Sequence, residues 1–251
     1  MFNFFKKKES LPDVLSTLPF SLDIHSHILP GIDDGSPDVE TSLRLIKGLY
    51  DLGIRKSIAT PHIIGDLYRN TPETINNALE KVKAACVKAE IEMEISAAAE
   101  YMLDDYFLEL LKNKSPLLTL QKNILLTEIS YSTPPDNLEA IIANIVEAGY
   151  KPVLAHPERY FYYHDNFDQY QKLSEMGFLL QVNLLSLTGY YGNGAKKAAK
   201  FILENNLANL VGTDLHHHQH LSTLSDAKNR AIIQQSLGAK IYNDLNVLTH
   251  S

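Results

Sequence analysis

Residues 23–35 read DIHSHILPGIDDG, and this stretch sets the expectation for the fold. His25 and His27 are one residue apart in a segment that predicts a β-strand, so both imidazoles should face the same side. The Leu-Pro-Gly that follows ends the strand, and the Asp-Asp-Gly turn returns two carboxylates toward the imidazoles. Histidines and acids that converge at a strand end favour a divalent-metal site; the alternative is a surface turn with two incidental histidines.

The rest of the chain repeats the pattern of a short apolar run followed by a polar or ionisable residue. Strands are predicted over 55–60, 92–98, 123–127, 152–155, 178–182 and 207–211, and they deliver His62, Glu100, Glu128, His156, Asn183 and the pair Asp214 and His216. Counting the first strand, six strand ends carry His, Asp or Glu. Unpaired charge near a core is costly, so this coincidence is the strongest sign of a shared site.

Amphipathic stretches separate these strands. Helices are predicted over 36–53, 71–86, 103–111, 135–148, 165–176, 194–205 and 225–237, with a tail of undetermined form over 239–248. The alternation predicts a single α/β domain at 19–251 after an N-terminal extension at 1–18. Parallel strands of this kind close into a barrel or spread into a doubly wound sheet, and both place the active site at the carboxyl ends of the strands.

Composition limits the possible partners and compartment. The 251 residues are 45% hydrophobic, enough for a sizeable core, and the net charge of −7 weighs against nucleic acid. The one cysteine, Cys86, excludes an internal disulfide and suits a reducing compartment, so a cytoplasmic location is expected. No segment approaches the roughly 20 apolar residues of an integral membrane segment. The start, MFNFFKKKES, is interpreted as a frayed terminus or a weak contact with the inner membrane surface.

Nine side chains are candidate metal ligands. They are His25, His27, Asp34, His62, Glu100, Glu128, His156, Asp214 and His216. Nine ligands exceed the needs of one ion, so two or three divalent ions are expected. Imidazole and carboxylate donors without thiolates suit manganese, iron, magnesium or zinc. Such a cluster acidifies bound water and neutralises phosphoryl oxygens.

Arg159 adds a candidate anion-binding group. It lies three residues after His156 in the run His-Pro-Glu-Arg, where a guanidinium can bind phosphate through two hydrogen bonds. The alternative is a salt bridge to Glu158 or another neighbour. Metal ions beside a phosphate-binding arginine indicate a phosphomonoesterase.

These motifs, in this order, resemble a known family. The chain carries HxH followed by IDDG, then TPH at 60–62, AAE ending at Glu100, TEI around Glu128, AHPER at 155–159, QVN at 181–183 and TDLH at 213–216. They are similar to the PHP-superfamily protein-tyrosine phosphatases of bacterial capsule and exopolysaccharide clusters (CpsB/CapC-like). The resemblance runs from about Asp23 to His216, most of the chain.

The resemblance implies a distorted (β/α)7 TIM-like barrel of the PHP fold with three ions, usually manganese. It implies one ion held by His25, His27, Glu100 and Asp214, a second by Glu100, Glu128 and His156, and a third by Asp34, His62 and His216. Arg159, His156 and Asp214 would be the catalytic residues, with Arg159 on the phosphate. The implied substrate is phosphotyrosine, on the tyrosine-rich tail of a bacterial tyrosine kinase that controls polysaccharide export.

One departure concerns the leaving group. Members of the family often carry an arginine shortly after the DxH motif, whereas this chain has the run 216–220, HHHQH, and no arginine before Arg230. Two interpretations stay open: one histidine of the run acts as a phosphate donor or general acid, or the run is a solvated cluster at a helix start. Phenolate leaves without a strong acid, since its pKa is near 10.

Other side chains have competing interpretations. Cys86 lies on an apolar helix face and lacks an arginine six residues later, so it is predicted to be a core residue and not a phosphatase nucleophile. The aromatic run 160–163 is either a wall for a phenyl ring or ordinary packing. The Tyr190-Tyr191-Gly192 segment is predicted to be a turn, with a mobile loop as the alternative, and Asp23 to orient a histidine rather than touch a metal.

Two other functions compete with the tyrosine phosphatase. A small-molecule PHP phosphatase would prefer histidinol phosphate or a sugar phosphate to a phosphotyrosyl peptide. A non-catalytic metal-binding module that docks a kinase tail would need a broken ligand set, whereas all nine positions are intact. The sequence leaves the oligomeric state open.

Overall fold

The computed structural model describes residues 17–250, so the predictions for the start of the chain, residues 1–16, lie outside the described residues. The described residues form nine short strands. They are β1 (Leu22–Asp23), β2 (Lys56–Ala59), β3 (His62–Ile63), β4 (Glu94–Ala97), β5 (Glu100–Met102), β6 (Ile124–Glu128), β7 (Lys151–Ala155), β8 (Leu179–Asn183) and β9 (Ala208–Gly212). All of their pairings are parallel.

The strands form a closed ring with seven positions. One sheet has the order β1-β2-β4 and the other the order β3-β5-β6-β7-β8-β9. β2 and β3 follow each other on one strand path, as do β4 and β5, so nine strands occupy seven positions. A parallel bridge between Ser26 and Leu215 joins the last position to the first. The predicted distorted (β/α)7 barrel is confirmed, and one barrel accounts for the whole described chain.

Two strand paths break where a single strand was predicted. His62 and Glu100 were expected after the ends of strands, whereas they are the first residues of β3 and β5. Pro61 lacks the N–H that would continue the ladder from β2. Ala98 N still donates to Ala59 O and Glu100 N to Pro61 O, so the breaks bend the strand paths without separating them. The bends bring both side chains to the same end of the barrel.

The described residues also form ten α-helices. They are α1 (Val39–Asp51), α2 (Pro72–Lys88), α3 (Asp105–Lys112), α4 (Leu138–Glu147), α5 (Asp168–Glu175), α6 (Leu184–Thr188), α7 (Gly192–Glu204), α8 (His218–Ser225), α9 (Ala227–Leu237) and α10 (Leu245–His250). Asp38 caps α1 by accepting from Thr41 N at 2.7 Å, and Thr71 caps α2 in a capping box. The sequence did not predict α6, α8 or α10 as separate helices.

The core has an inner and an outer part. Alternate strand residues such as Ile124 and Leu126 pack in the cluster that fills the barrel, where Leu245 of α10 joins them. The intervening residues, such as Leu125, face the helices and belong to the larger outer cluster. Cys86 is part of that outer cluster, so its predicted core position is confirmed. Among the described residues, no helix is both long and apolar enough to cross a membrane.

Candidate metal centre

The two histidines of the opening stretch point into one end of the barrel. Both lie just after β1, which ends at Asp23. The chain between them pairs with the last strand path at Ser26, opposite Leu215. His25 Nε2 lies 3.1 Å from Glu100 Oε2 and 3.3 Å from Asp214 Oδ1. His27 Nε2 lies 3.3 Å and 3.4 Å from the same two oxygens. Both imidazoles therefore face the same two carboxylates, as their alternation predicted.

Glu100 is at the centre of the cluster and is completely buried. Besides the two histidines above, it contacts His62 Nδ1 at 3.2 Å through Oε2 and His156 Nε2 at 3.0 Å through Oε1. Four imidazoles from three strand paths thus surround one carboxylate. The position of Glu100 at the start of β5, after the bend, makes these four contacts possible.

A more open part of the cluster lies beside the Asp-Asp-Gly turn. Asp34 Oδ1 lies 3.5 Å from His62 Nε2 and 3.6 Å from His216 Nε2, and the Asp34 side chain is 52% exposed. Ligand atoms of these three residues and His27 all lie within 4.8 Å of one another. Solvent and a substrate can reach the cluster from this side.

The structure brings all nine predicted ligands together. The other sets whose ligand atoms lie within 4.8 Å of one another are His25 with His27 and Glu100, His25 with His156 and Asp214, and His62 with Glu100 and Glu128. These sets place Glu128 next to His62, whereas the family resemblance implied Glu128 beside His156. The division of the nine residues among particular ions stays a prediction.

Unpaired atoms show that this donor set fits divalent metal. Glu128 Oε1 and Asp214 Oδ1 are buried without a hydrogen bond, although Glu128 Oε1 approaches His62 Nδ1 to 2.9 Å. Burial of the His62 imidazole lowers its pKa, but the nearby Glu128 carboxylate outweighs this effect and raises the pKa of His62 to about 9. The buried carboxylates of Glu100, Glu128 and Asp214 create a negative potential that cations would neutralise. Nitrogen and oxygen donors without sulfur suit manganese, iron, magnesium or zinc.

Backbone strain occurs at two of the candidate ligands. His156 has φ +36° and Asp214 has φ +49°, in the left-handed region that side chains other than glycine rarely adopt. Asp214 follows Thr213, whose N and Oγ1 donate to the Asp23 carboxylate at 3.0 and 2.6 Å. The Asp23 carboxylate therefore holds the end of the last strand path, and it also interacts with the backbone of His25, so its role in orienting that histidine stays a prediction. Strain of this kind is typical of functional sites.

Arg159 is bound to the cluster and not to Glu158. Its Nη1 donates to Asp214 Oδ2 at 2.5 Å, and Asn183 Nδ2 donates to the same oxygen at 2.8 Å. Asp214 therefore keeps Oδ1 free for a cation. Glu158 is buried and accepts instead from Asn183 N and Ser186 Oγ, and burial raises its pKa to about 7. Arg159 therefore does not pair with Glu158, but the alternative of a salt bridge to another residue is present as its pair with Asp214, and phosphate binding stays a prediction.

Aromatic rings border the arginine. The Arg159 guanidinium carbon lies 4.3 Å from the ring centre of Tyr191 and 5.2 Å from that of Tyr131. Tyr191 belongs to the segment predicted to be a turn, and it precedes α7. In the run 160–163, Tyr160 and Tyr163 are buried in the core, whereas Phe161 is 61% exposed. Packing therefore accounts for most of that run, although the ring centre of Tyr160 lies 5.8 Å from that of His156, close to the 5.7 Å of Tyr131.

The histidine run after Asp214 divides into two kinds of residue. His217 and His218 are exposed at the start of α8, which agrees with a solvated cluster. His220 is buried, and its Nδ1 lies 3.3 Å from His216 N and 3.2 Å from Asp214 O. Burial, with His217 adding to it, lowers the pKa of His220 to about 4, so this imidazole is neutral at pH 7. His220 supports the backbone that carries two candidate ligands.

Sequence reasoning assigned no supporting role to several residues that hold the candidate ligands, although it expected the Asp33 carboxylate near the imidazoles. Asp33 accepts a hydrogen bond from His27, and Gln181 accepts one from His25. Asn183 donates to Asp214, and the ring of Tyr131 lies beside the Arg159 guanidinium. Asp33 carried a signal, since it adjoins Asp34 in the same turn. Gln181 and Asn183 stood in the QVN motif without an assigned role, and Tyr131 had no signal.

Gly35 supports the turn by letting it approach His27 closely. A Cβ built on Gly35 would lie 2.1 Å from His27 O and 2.5 Å from His27 Cβ. We expect Gly35→Ala to lower the free energy of unfolding by about 1–3 kcal/mol, because backbone must move to admit the methyl group. Urea denaturation of the metal-free protein measures this change. A loss below about 0.5 kcal/mol, as for an ordinary surface site, would contradict the close approach.

Comparison with known proteins places this geometry in a family. The tyrosine-protein phosphatase YwqE of Bacillus subtilis (strain 168) is 30% identical over 196 residues, which cover 78% of this chain and 77% of that protein. The tyrosine-protein phosphatase CpsB of Streptococcus pneumoniae is 30% identical over 202 residues, which cover 78% of this chain and 83% of that protein.

A solved structure agrees with these relatives. This structure belongs to the work on the crystal structures of YwqE from Bacillus subtilis and CpsB from Streptococcus pneumoniae, described as unique metal-dependent tyrosine phosphatases. It superposes on this protein with a TM-score of 0.78 and 27% sequence identity, and the match covers 91% of this chain and 91% of that chain. Residues 21–248 also match the family described as capsular polysaccharide synthesis, CpsB/CapC. This match spans nearly the whole sequence, and the chain therefore belongs to the CpsB/CapC family.

Proposed function

We propose that the protein is a metal-dependent protein-tyrosine phosphatase. The observation that carries the proposal is the buried carboxylate of Glu100, surrounded by four imidazoles, with Arg159 beside the same cluster. The relatives above, which are tyrosine phosphatases, support the same chemistry. The nine candidate ligands would hold two or three divalent ions, and manganese is the proposed metal.

The substrate would enter at the open side of the cluster, near Asp34. Cations held by the candidate ligands would lower the pKa of a water, so that hydroxide is available as the nucleophile near neutral pH. Their positive charge would also neutralise the phosphoryl oxygens. Arg159 has guanidinium donors beyond the one on Asp214, and these would bind the phosphoryl group. The rings of Tyr131 and Tyr191 restrict the guanidinium, so little freedom is lost when phosphate binds.

The leaving group is a phenolate, whose pKa near 10 lets it depart without a strong acid. The exposed histidines at the start of α8 are candidates to return its proton. No phosphoenzyme is expected, because the one cysteine is buried on α2 and the cluster itself presents only ligands.

The test compares substrates with and without metal. The purified protein should hydrolyse p-nitrophenyl phosphate and a phosphotyrosyl peptide with Mn²⁺ and lose activity with a chelator. Faster turnover of histidinol phosphate than of the peptide would favour a small-molecule phosphatase instead. Turnover that no chelator removes would overturn the proposal. A pulldown with His156→Ala that captures a phosphotyrosine protein, without turnover in the wild type, would indicate a docking module.

The thiol should play no part in turnover. Cys86 is 4% exposed, and burial raises its pKa, so the reactive thiolate is disfavoured. We expect Cys86→Ala to keep the turnover number within about twofold of wild type. Iodoacetamide should likewise leave wild-type activity intact. Inactivation that Cys86→Ala prevents would assign the thiol a role.

We further propose a phosphotyrosine protein of the capsule system, a bacterial tyrosine kinase, as the partner, and the cytoplasm as the location. The presence of one cysteine and the family assignment support these proposals. Dephosphorylation of a purified kinase tail, followed by mass spectrometry of its tyrosines, tests the partner directly.

A further inference from the structure

The two histidines of the opening stretch have their outer ring nitrogens bound to different partners. His25 Nδ1 lies 2.7 Å from Gln181 Oε1, across 156 residues of sequence. His27 Nδ1 lies 2.8 Å from Asp33 Oδ2. The side chains of all four residues are fully buried, so water does not compete for these bonds.

Both outer partners are hydrogen-bond acceptors. The carbonyl oxygen of Gln181 and the carboxylate of Asp33 each accept from a protonated Nδ1, so in the neutral ring Nε2 carries the lone pair, which faces inward. The two Nε2 atoms are 3.3 Å apart, and both face Glu100 and Asp214. A cation between these groups needs this tautomer on both rings.

The surroundings of each partner hold it in place. Asp33 also accepts from Gly35 N at 3.0 Å and His62 N at 3.2 Å, so its orientation is set by three donors. Gln181 is confined by Gly212, because a Cβ there would lie 2.7 Å from His25 Cβ and 2.9 Å from Gln181 Nε2. Three donors thus hold the Asp33 carboxylate, whereas packing holds the Gln181 amide, whose Nε2 is buried without a hydrogen bond.

We propose that Gln181 and Asp33 are positioning residues that fix the inward-facing tautomers of His25 and His27. The two partners differ in charge. His27, which is paired with the Asp33 carboxylate, is therefore the stronger electron donor to a cation, and His25, which is paired with the neutral Gln181 amide, is the weaker one. The inference rests on the proposed metal-dependent function, but its first consequence, the position of a proton, is measurable in metal-free protein.

Two substitutions of Gln181 distinguish the effect of its hydrogen-bond acceptor from the effect of its side-chain volume. Gln181→Met keeps the length of the side chain and removes the acceptor, whereas Gln181→Glu keeps an acceptor at the same place. We expect the Met variant to bind Mn²⁺ about 10–100-fold more weakly, by calorimetric titration of the chelator-treated protein, and the Glu variant to stay much nearer to wild type. Gln171→Met, at an exposed position of α5, is the matched control.

Long-range ¹H–¹⁵N spectra of the metal-free protein provide the independent readout. At a pH where the ¹⁵N shifts show a neutral ring, they should place the single ring proton of His25 on Nδ1 in wild type and in Gln181→Glu. Absence of that proton in the wild type would overturn the inference even if the protein is a phosphatase. Equal Mn²⁺ affinity of Gln181→Met and wild type, or equally weak binding by the Met and Glu variants, would also overturn it. If Gln181→Met does not fold, the wild-type spectrum and the Glu variant decide.

Asp33→Asn tests the charge difference in the same way. With its amide oxygen in the place of Oδ2, the variant keeps the bonds from His27 and His62 N, removes the negative charge and loses the bond from Gly35 N. We expect weaker Mn²⁺ binding with the Nδ1 proton of His27 retained. Unchanged affinity would show that the charge of Asp33 does not act on the ligand.

Discussion

Replacing Glu100 by glutamine is expected to lower kcat/KM for p-nitrophenyl phosphate by on the order of 10³-fold, since the metal ions contribute several kcal/mol of charge stabilisation. The carboxylate is buried and contacts four imidazoles at 3.0–3.3 Å. An amide presents one weak oxygen ligand and one N–H donor in place of two anionic oxygens. The N–H would face an imidazole nitrogen that should bind metal.

Metal content should fall together with activity. Elemental analysis of Glu100→Gln after dialysis against Mn²⁺ is expected to show fewer bound ions than in the wild type. Glu92→Gln, an exposed position on the same segment of chain, is the control and should match the wild type in both measurements. A Glu100→Gln variant with full metal content and full activity would remove Glu100 from the centre of the site.

Replacing Arg159 by methionine is expected to lower kcat/KM by about 10²–10³-fold, the usual loss when one charged donor to a transition-state oxygen is removed. Arg159→Lys should recover only part of this loss, because an ammonium cannot bind Asp214 and a phosphoryl oxygen with the spacing of a guanidinium. Its contacts with Asp214, Tyr131 and Tyr191 locate the guanidinium at the edge of the cluster.

Binding of inorganic phosphate and of Mn²⁺ distinguishes a phosphate-binding role of Arg159 from a structural role. If Arg159 binds the phosphoryl group, inorganic phosphate should inhibit Arg159→Met far more weakly than wild type, while bound Mn²⁺ changes little because Asn183 still holds Asp214. Arg44→Lys, on the exposed surface of α1, is the control. Loss of metal with unchanged phosphate inhibition would instead make Arg159 a support for Asp214.

The sequence by itself determined the alternation of elements and the identity of the nine candidate ligands. Local signals were sufficient for the helices capped by Asp38 and Thr71, since each cap acts on the next turn of its own helix. The spacing of His25 and His27 was sufficient to place both imidazoles on one side, because side chains alternate along extended backbone. Strand ends that carry ionisable groups indicated where the site would form.

Only the tertiary structure decided which side chains hold the ligands. Gln181 reaches His25 from a strand 156 residues away, and Asp23 binds Thr213 across 190 residues, pairings that no local pattern encodes. The bend before His62 follows Pro61, a local signal, whereas no such signal predicted the bend before Glu100. Hydrogen bonds between distant strand ends depend on barrel register, which is set by the packing of the whole chain, and that is why the ligands could be predicted and their supports could not.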